Sequence, residues 1–222
     1  MPFEAPEGLM NATPDATRVA ETRRKLMATT APVRALPPNA ALMITCIAVF
    51  VALAAILAMP FGYYGIENMS AAGRAMEFTV LLLLAVTLAG GVVEQMIPGS
   101  QRTLRPVVSA LTAIVLLSVT ALLLFPVPGS GDFVRRGLPC LRLGLTCAIP
   151  AAGLVHVMMR RGLVTDDISA AVAGGAFAGL LGVAVLTLHC PIFSSGHIVA
   201  WHVGVIALTS LLGALAGWLR AR

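Results

Sequence analysis

The sequence predicts an all-α protein: a polytopic membrane bundle of six transmembrane helices, both termini on the cytoplasmic side (N-in/C-in), with a short cytoplasmic N-terminal tail. Three observations carry this prediction: an unusually apolar composition, six separate apolar runs of spanning length, and an uneven distribution of Lys and Arg between the two sides those runs define. Of the 222 residues, 58% are hydrophobic and 11% charged, and the mean hydropathy is +0.91. Soluble domains carry about 25% charged and about 45–50% apolar residues. The net charge of +5 would suit a nucleic-acid binder, but the basic residues flank apolar runs and no basic helix with interleaved aromatics is present. Direct contact with nucleic acid is therefore not expected. The first apolar run begins near Ala40, after a polar tail. It is too long for the core of a signal peptide and reads as a retained span.

A hydrocarbon core of ~30 Å needs about 20 residues of helix at 1.5 Å each. Runs of this kind extend from Ala40 to Pro60, Ala75 to Ile97, Leu104 to Pro126, Leu138 to Met158, Ile168 to His189 and Ile198 to Trp218. In lipid they must be helices, because an isolated strand would leave its backbone groups unpaired. Pro60-Phe61-Gly62, Pro98-Gly99-Ser100, Pro126 to Gly129, Arg160-Arg161-Gly162 and Pro191 to Gly196 mark the connections. Connections this short predict up-and-down helices packed beside their sequence neighbours.

Orientation follows from Lys and Arg near the helix ends. With the N-terminus inside, Arg18, Arg23, Arg24, Lys25, Arg34, Arg102, Arg105, Arg160, Arg161, Arg220 and Arg222 are inside, and Arg74, Arg135, Arg136 and Arg142 outside, eleven against four. The chain thus divides into a cytoplasmic tail, residues 1–39, and a transmembrane domain, residues 40–222. The tail can form a weakly amphipathic helix from about Asp15 to Ala28, with Val19, Leu26 and Met27 as its apolar positions. These are too few to hold it alone, so the tail is expected to be disordered or to fold on a partner. The plainer reading is a tail that only sets topology.

The fifth run carries Gly174, Gly175, Ala178, Gly179 and Gly182, and the sixth carries Gly213 and Gly217. Small residues at such spacing let helix backbones approach closely, and packing is their expected role.

Four cysteines are placed by this topology. Cys46 lies in the inner half of the first span, Cys140 at the outer start of the fourth, Cys190 at the outer end of the fifth, and Cys147 two turns deeper than Cys140. Cys140 and Cys190 share the outer face, which in a bacterial cytoplasmic membrane meets an oxidising compartment. A disulfide there would close a loop of about 50 residues, worth at most about 4 kcal/mol in the chain-entropy model. Two readings stand: a disulfide or functional thiol pair, or two small apolar residues in packed helices. Cys46 and Cys147 are expected to be packing residues.

His189, Cys190, His197 and His202 fall within 14 residues at the same face, with Trp201 as an interfacial anchor. His and Cys are ligands for zinc or copper ions, although the spacing matches no strict metal motif. Metal binding and polar capping of helix ends are the two readings. Glu77 lies near the outer surface, where it could pair with Arg74 or Arg142. No nucleophile–base pair, phosphate loop or paired carboxylates appear, so an enzyme is not expected, and no cofactor is required.

The segment Ala31-Pro32-Val33-Arg34-Ala35-Leu36-Pro37-Pro38, followed by Pro98-Gly99-Ser100, Cys140-Leu141, His189-Cys190-Pro191, His197 and Trp201-His202, resembles the NrsF family, negative regulators of sigma F. The resemblance runs from about residue 15 to the C-terminus. It implies a six-helix membrane anti-sigma factor of the bacterial inner membrane without catalytic activity. It also implies an N-terminal segment that holds an extracytoplasmic-function sigma factor, and two periplasmic cysteines needed for sensing, by motif Cys140 and Cys190. Cys147 is an addition to that pattern. Arg23, Arg24, Lys25 and Arg34 are the candidate partner-binding residues. The inducer stays open among heavy metal, oxidant and osmotic signals, with a transition-metal ion as one candidate signal, and so does the oligomeric state. The rival readings are a small membrane transporter or metal-permeation protein, which needs polar residues through the bundle, and a thiol-exchange enzyme, which would be expected to show a CxxC pair.

Overall fold

The computed structural model describes residues 16–29, 37–97, 105–126 and 132–222. Among them every regular element is helical. The chain separates into two units, Met1–Ala35 and Leu36–Arg222. The first contributes α1, Ala16–Thr29, a helix the tail sequence allows although its apolar positions are too few to hold it alone. Val19, Leu26 and Met27 are exposed on it, as are Arg23, Arg24 and Lys25. Lys25 Nζ lies 3.0 Å from Glu21 Oε1, an exposed i,i+4 pair of the kind that supports a short helix only weakly.

The second unit is the bundle. It comprises α2 (Asn39–Ala58, prolonged by a 3-10 turn Met59–Phe61), α3 (Tyr64–Asn68), α4 (Ala71–Gln95), α5 (Pro106–Leu124), α6 (Phe133–Met159) and α7 (Asp167–His189). It ends with α8 (Ser195–His197), which passes through a π-helical segment, Ile198–Val203, into α9 (Gly204–Arg220). Six helices of 19–27 residues are long and apolar enough to cross a membrane: Asn39–Phe61, Ala71–Gln95, Pro106–Leu124, Phe133–Met159, Asp167–His189 and Ser195–Arg220. Ile44, Leu123, Ile149 and Leu211 are all more than 60% exposed on the bundle's outside, the side that lipid covers in a membrane protein. The fourth span starts at Phe133, a turn before the apolar run that predicts it. Hydropathy marks the lipid-soluble stretch, whereas helical hydrogen bonding continues through the charged turn at Arg135 and Arg136. The first connection also holds more structure than its Pro and Gly suggest, namely the short helix α3.

Side chains cap two of the spans. Ser70 Oγ accepts from the Gly73 N–H at 3.1 Å at the start of α4, and Asp166 Oδ1 accepts from the Ser169 N–H at 3.1 Å at the start of α7. Contacts between helix ends give the up-and-down path. The Leu163 N–H donates to Met96 O at 3.1 Å, joining the far ends of α4 and α6, and the Ser195 N–H donates to Pro126 O at 3.0 Å, joining the end of α5 to the start of α8.

Neighbour-to-neighbour packing holds for α4 with α5, α6 with α7 and α7 with α9, but not for α5 with α6: α5 packs on α4, α7 and the last span, from α8 into α9. The reason is α7. Its most apolar stretch is 83% buried, against 28–44% in the other five spans, and it touches α2, α4, α5, α6 and α9. Small residues on several faces make this central position accessible. A Cβ at Gly175 would collide with the Thr209 carbonyl oxygen, one at Gly179 with the Thr209 side chain and Ile206, and one at Gly182 with the Gly144 carbonyl oxygen. On α9, Gly213 meets the Ala171 carbonyl and Gly217 that of Asp167. Larger residues fill the remaining side: Phe177 lies 5.4 Å from Phe50 of α2, ring centroid to ring centroid.

Gly182→Ala is expected to lower the unfolding midpoint of the purified protein, at a cost of about 1–3 kcal/mol for overpacking against a backbone atom. Gly153→Ala, where a Cβ meets nothing within 4 Å, is expected to be neutral or to stabilise by up to about 1 kcal/mol. Thermal unfolding of both variants in detergent checks this, and equal midpoints would contradict the close-packing account.

Candidate functional site

The chemistry-bearing residues gather where α6 begins, α7 ends and α8 begins. Cys140 stands in the second turn of α6, directly after Pro139. Cys190 is the residue that ends α7: its N–H donates to Leu186 O at 2.7 Å, and Pro191 then stops the helix. The connection to α8 is short and tied at both ends. His189 Nδ1 lies 3.3 Å from Gly62 O, and its ring packs against Phe61 and Tyr64 at centroid distances of 5.7 and 6.0 Å. Gly62 presents that carbonyl from a backbone with φ +84°, a conformation that favours glycine. On the other side Phe193 stacks on Phe125 at 5.4 Å, and Ser195 Oγ donates to Pro126 O at 3.2 Å.

Ser194 leads into α8, and the π-helical segment then alters the register. Residues 197 and 202 are five apart. On an α-helix they would point about 140° away from each other. The i→i+5 bonding of a π-turn brings them nearly over one another instead, and the His197 and His202 rings meet edge to face at 5.2 Å.

The result is a compact cluster. Cys140 Sγ lies 3.7 Å from Cys190 Sγ, and Cys190 Sγ lies 3.5 Å from His197 Nε2. One donor atom each from Cys140, Cys190, His197 and His202 falls within 4.8 Å of all the others. Cys190, His197 and His202 are each 3% exposed, and Cys140 is half-buried. The adjacent Cys140 sulfur, and then burial, push the Cys190 thiol above its ordinary pKa. Without a cation nearby, two thiolates this close are not both stable. His202 Nε2 is buried without a hydrogen-bond partner.

His189 is not part of this cluster, because its ring turns to Gly62, Phe61 and Tyr64. Cys140 takes the fourth corner. Cys147 packs with Ala58 and Val185, and Cys46 Sγ lies against Met158 Sδ at 3.8 Å, so neither approaches the pair. Trp201 packs on Phe133 at 5.3 Å and against Gly137, where a Cβ would collide with the indole. Arg23, Arg24 and Lys25 are exposed on α1. Arg34 falls outside the described residues.

Glu77 stands near the start of α4, as its sequence position implies, but faces inward. It is 4% exposed, its Oε2 has no hydrogen-bond partner, and it makes no ion pair with Arg74 or Arg142. It lines a cavity of about 10 Å³ together with Met69, Thr187, Cys190 and His202. The signal was available, since an ionisable residue inside an apolar run is a functional candidate by default. Nearby arginines made a surface pairing look sufficient.

With this geometry in view, comparison with known proteins is informative. Residues 26–222 match NrsF, the family described as "Negative regulator of sigma F". The chain belongs to the NrsF family. The match begins within α1 and covers the whole bundle, so Arg23, Arg24 and Lys25 lie just ahead of it. No curated protein and no solved structure matches the chain.

Glu77→Met should raise the unfolding midpoint of the metal-free protein, because burying a polar group without a partner costs about 1–3 kcal/mol. Calorimetry of the reconstituted variant tests this. A lower midpoint would mean that the carboxyl has a stabilising partner.

Proposed function

We propose that this NrsF-family protein is a transmembrane anti-sigma factor of a bacterial inner membrane. In this reading its N-terminal segment sequesters an extracytoplasmic-function sigma factor at the cytoplasmic face. A signal received at Cys140 and Cys190 on the periplasmic face then weakens that hold. The family match supports regulation of a sigma factor. The observation that carries the sensing half is the approach of two thiols, 3.7 Å apart, at one end of the bundle.

The orientation rests on charge. The end of the bundle with Cys140 and Cys190 carries Arg74, Arg135, Arg136 and Arg142, whereas Arg105, Arg160, Arg161, Arg220 and Arg222 lie at the opposite end and Arg18, Arg23, Arg24 and Lys25 on α1. On α1, Arg23, Arg24 and Lys25 present positive charge beside the exposed apolar Val19, Leu26 and Met27. A basic and apolar helix surface of this kind suits a partner with an acidic rim and an apolar groove, and its charge acts mainly on encounter rate and specificity. A transporter is disfavoured by the filled bundle centre, where Phe177, Leu180 and Leu181 are at most 1% exposed.

Full-length protein is expected to co-purify with a sigma factor from its native cell. Reversing charge at Arg23, Arg24 and Lys25 together should slow association about tenfold or more, measured by surface plasmon resonance at low salt. Recovery of no sigma factor by the full-length protein removes the anti-sigma reading. A fluorescent protein fused after Arg222 should fluoresce, and alkaline phosphatase fused after Ser194 should be active. The reverse pattern would invert the topology. Cys140→Ser and Cys190→Ser should each alter the response of a sigma-dependent reporter, and an unchanged response in both variants would end the sensing role.

A further inference from the structure

We infer that Cys140, Cys190, His197 and His202 form a tetrahedral site for one borderline-soft divalent cation of the zinc type. This deepens the reading given under Proposed function by naming what the thiol pair takes, and its chemistry can be tested without a sigma factor.

The argument starts from distances. A tetrahedral zinc ion has Zn–S bonds of about 2.3 Å and Zn–N bonds of about 2.0–2.1 Å. With bond angles near 109°, two sulfurs on one ion are about 3.8 Å apart, and a sulfur and a nitrogen about 3.5 Å apart. Cys140 Sγ and Cys190 Sγ are 3.7 Å apart, and Cys190 Sγ and His197 Nε2 are 3.5 Å apart. Both match edges of such a tetrahedron. The remaining donor, from His202, lies within 4.8 Å of the other three.

The donor set points the same way. Two thiolates and two imidazoles in tetrahedral array select zinc over hard ions such as magnesium and calcium, which require oxygen ligands. Charge balance fits a buried location, since one dication and two thiolates sum to zero. As each S–Zn bond forms, the S–H proton leaves to water, two protons per cation. No electron is transferred.

The surroundings are consistent with a built site. His197 and His202 are buried, and the π-helical segment that aligns them would have no evident purpose in simple helix capping. His202 Nε2 is buried without a well-formed hydrogen bond, with Cys140 as its polar side-chain neighbour, a cost that imidazole serving only as filler would not recover. The half-buried Cys140 supplies the open edge through which an ion enters. Glu77 lines the small cavity that Cys190 and His202 also line.

The test uses full-length, reduced protein in lipid nanodiscs. Equilibrium dialysis should recover one Zn2+ per chain, undisturbed by excess Mg2+. With Co2+ as the probe, intense tetrahedral ligand-field bands and a sulfur-to-cobalt charge-transfer band should appear. Cys140→Ser and Cys190→Ser should each diminish the charge-transfer band and weaken Zn2+ binding about 100-fold or more. His197→Gln and His202→Gln should weaken it about tenfold or more while the charge-transfer band persists. Cys46→Ala and Cys147→Ala should bind as the parent does. Circular dichroism without metal confirms that each variant is folded. No stoichiometric binding, a weak octahedral Co2+ spectrum, or parental affinity in both His variants overturns the inference. Sigma-factor co-purification from the same preparations is scored separately. Sigma binding without zinc binding retires the metal site alone. Zinc binding without sigma binding supports the site and retires the regulatory reading.

Discussion

The structure depends on how closely other backbones approach α7. A helix surrounded by five others in lipid gains little from the hydrophobic effect, because lipid tails are as apolar as its neighbours. What remains is van der Waals contact, which requires short distances. Gly175, Gly179 and Gly182 supply them on the α9 and α6 sides, and Gly213 and Gly217 return the contact from α9. The consequence for the thiol cluster is direct. Gly144 and Gly182 mark the crossing of α6 and α7. Cys140 lies four residues from that crossing and Cys190 eight, about 6 Å and 12 Å along their helices. A slip of either helix at the crossing would be carried to the sulfurs almost undiminished. The glycines thus set the Sγ–Sγ distance as surely as the cysteines define its chemistry.

The connection between α7 and α8 completes this preorganisation. Five residues join the two helices, and three of the contacts that hold them lie outside the cluster: His189 to Gly62, Phe193 to Phe125 and Ser195 to Pro126. One draws on the α2–α3 turn and two on the end of α5, so the loop is braced from both sides. This explains why His189 does not join the other two histidines. It is committed to bracing, and its ring is aimed away from the sulfurs. A four-donor cluster assembled from three helix ends has to be held this way, because ordering long mobile loops around it would cost about 1–2 kcal/mol per residue in backbone entropy.

Much of this was legible in the sequence, for identifiable reasons. Six spans follow from apolar runs because the bilayer imposes one length and one kind of hydrogen bonding. Cys140 and Cys190 fall at the same end because alternate spans reverse direction. Three features stayed out of reach. The central position of α7 depends on which faces of several helices carry small residues, and a run of glycines does not say which partner each admits. The pairing of His197 with His202 depends on a π-turn, invisible to a reading at 3.6 residues per turn. Glu77 depends on rotation of α4. It sits about two turns into that helix, where a surface arginine and a buried cavity are separated by a small change of facing direction.

How a change at the thiol end would alter the tail turns on magnitudes. Moving a two-state equilibrium from 1:99 to 99:1 needs about 5.5 kcal/mol of differential affinity. Structural zinc sites bind with about 10–16 kcal/mol at neutral pH, so a site whose tetrahedron closes in only one packing of the bundle has ample energy to select it. A continuous run of contacts is available: α6 extends from Cys140 to Met158, and Met158 Sδ meets Cys46 Sγ of α2, the helix that follows the tail in the chain. Contiguity alone does not couple two sites. Coupling requires a second packing with a different affinity for the cation. The backbone contact at Gly144 and Gly182 makes such a second packing discrete, because a helix seated on another's carbonyl cannot drift by fractions of an ångström without clashing. A change that loosened the sulfur ligands would therefore act on α6 as a whole or not at all.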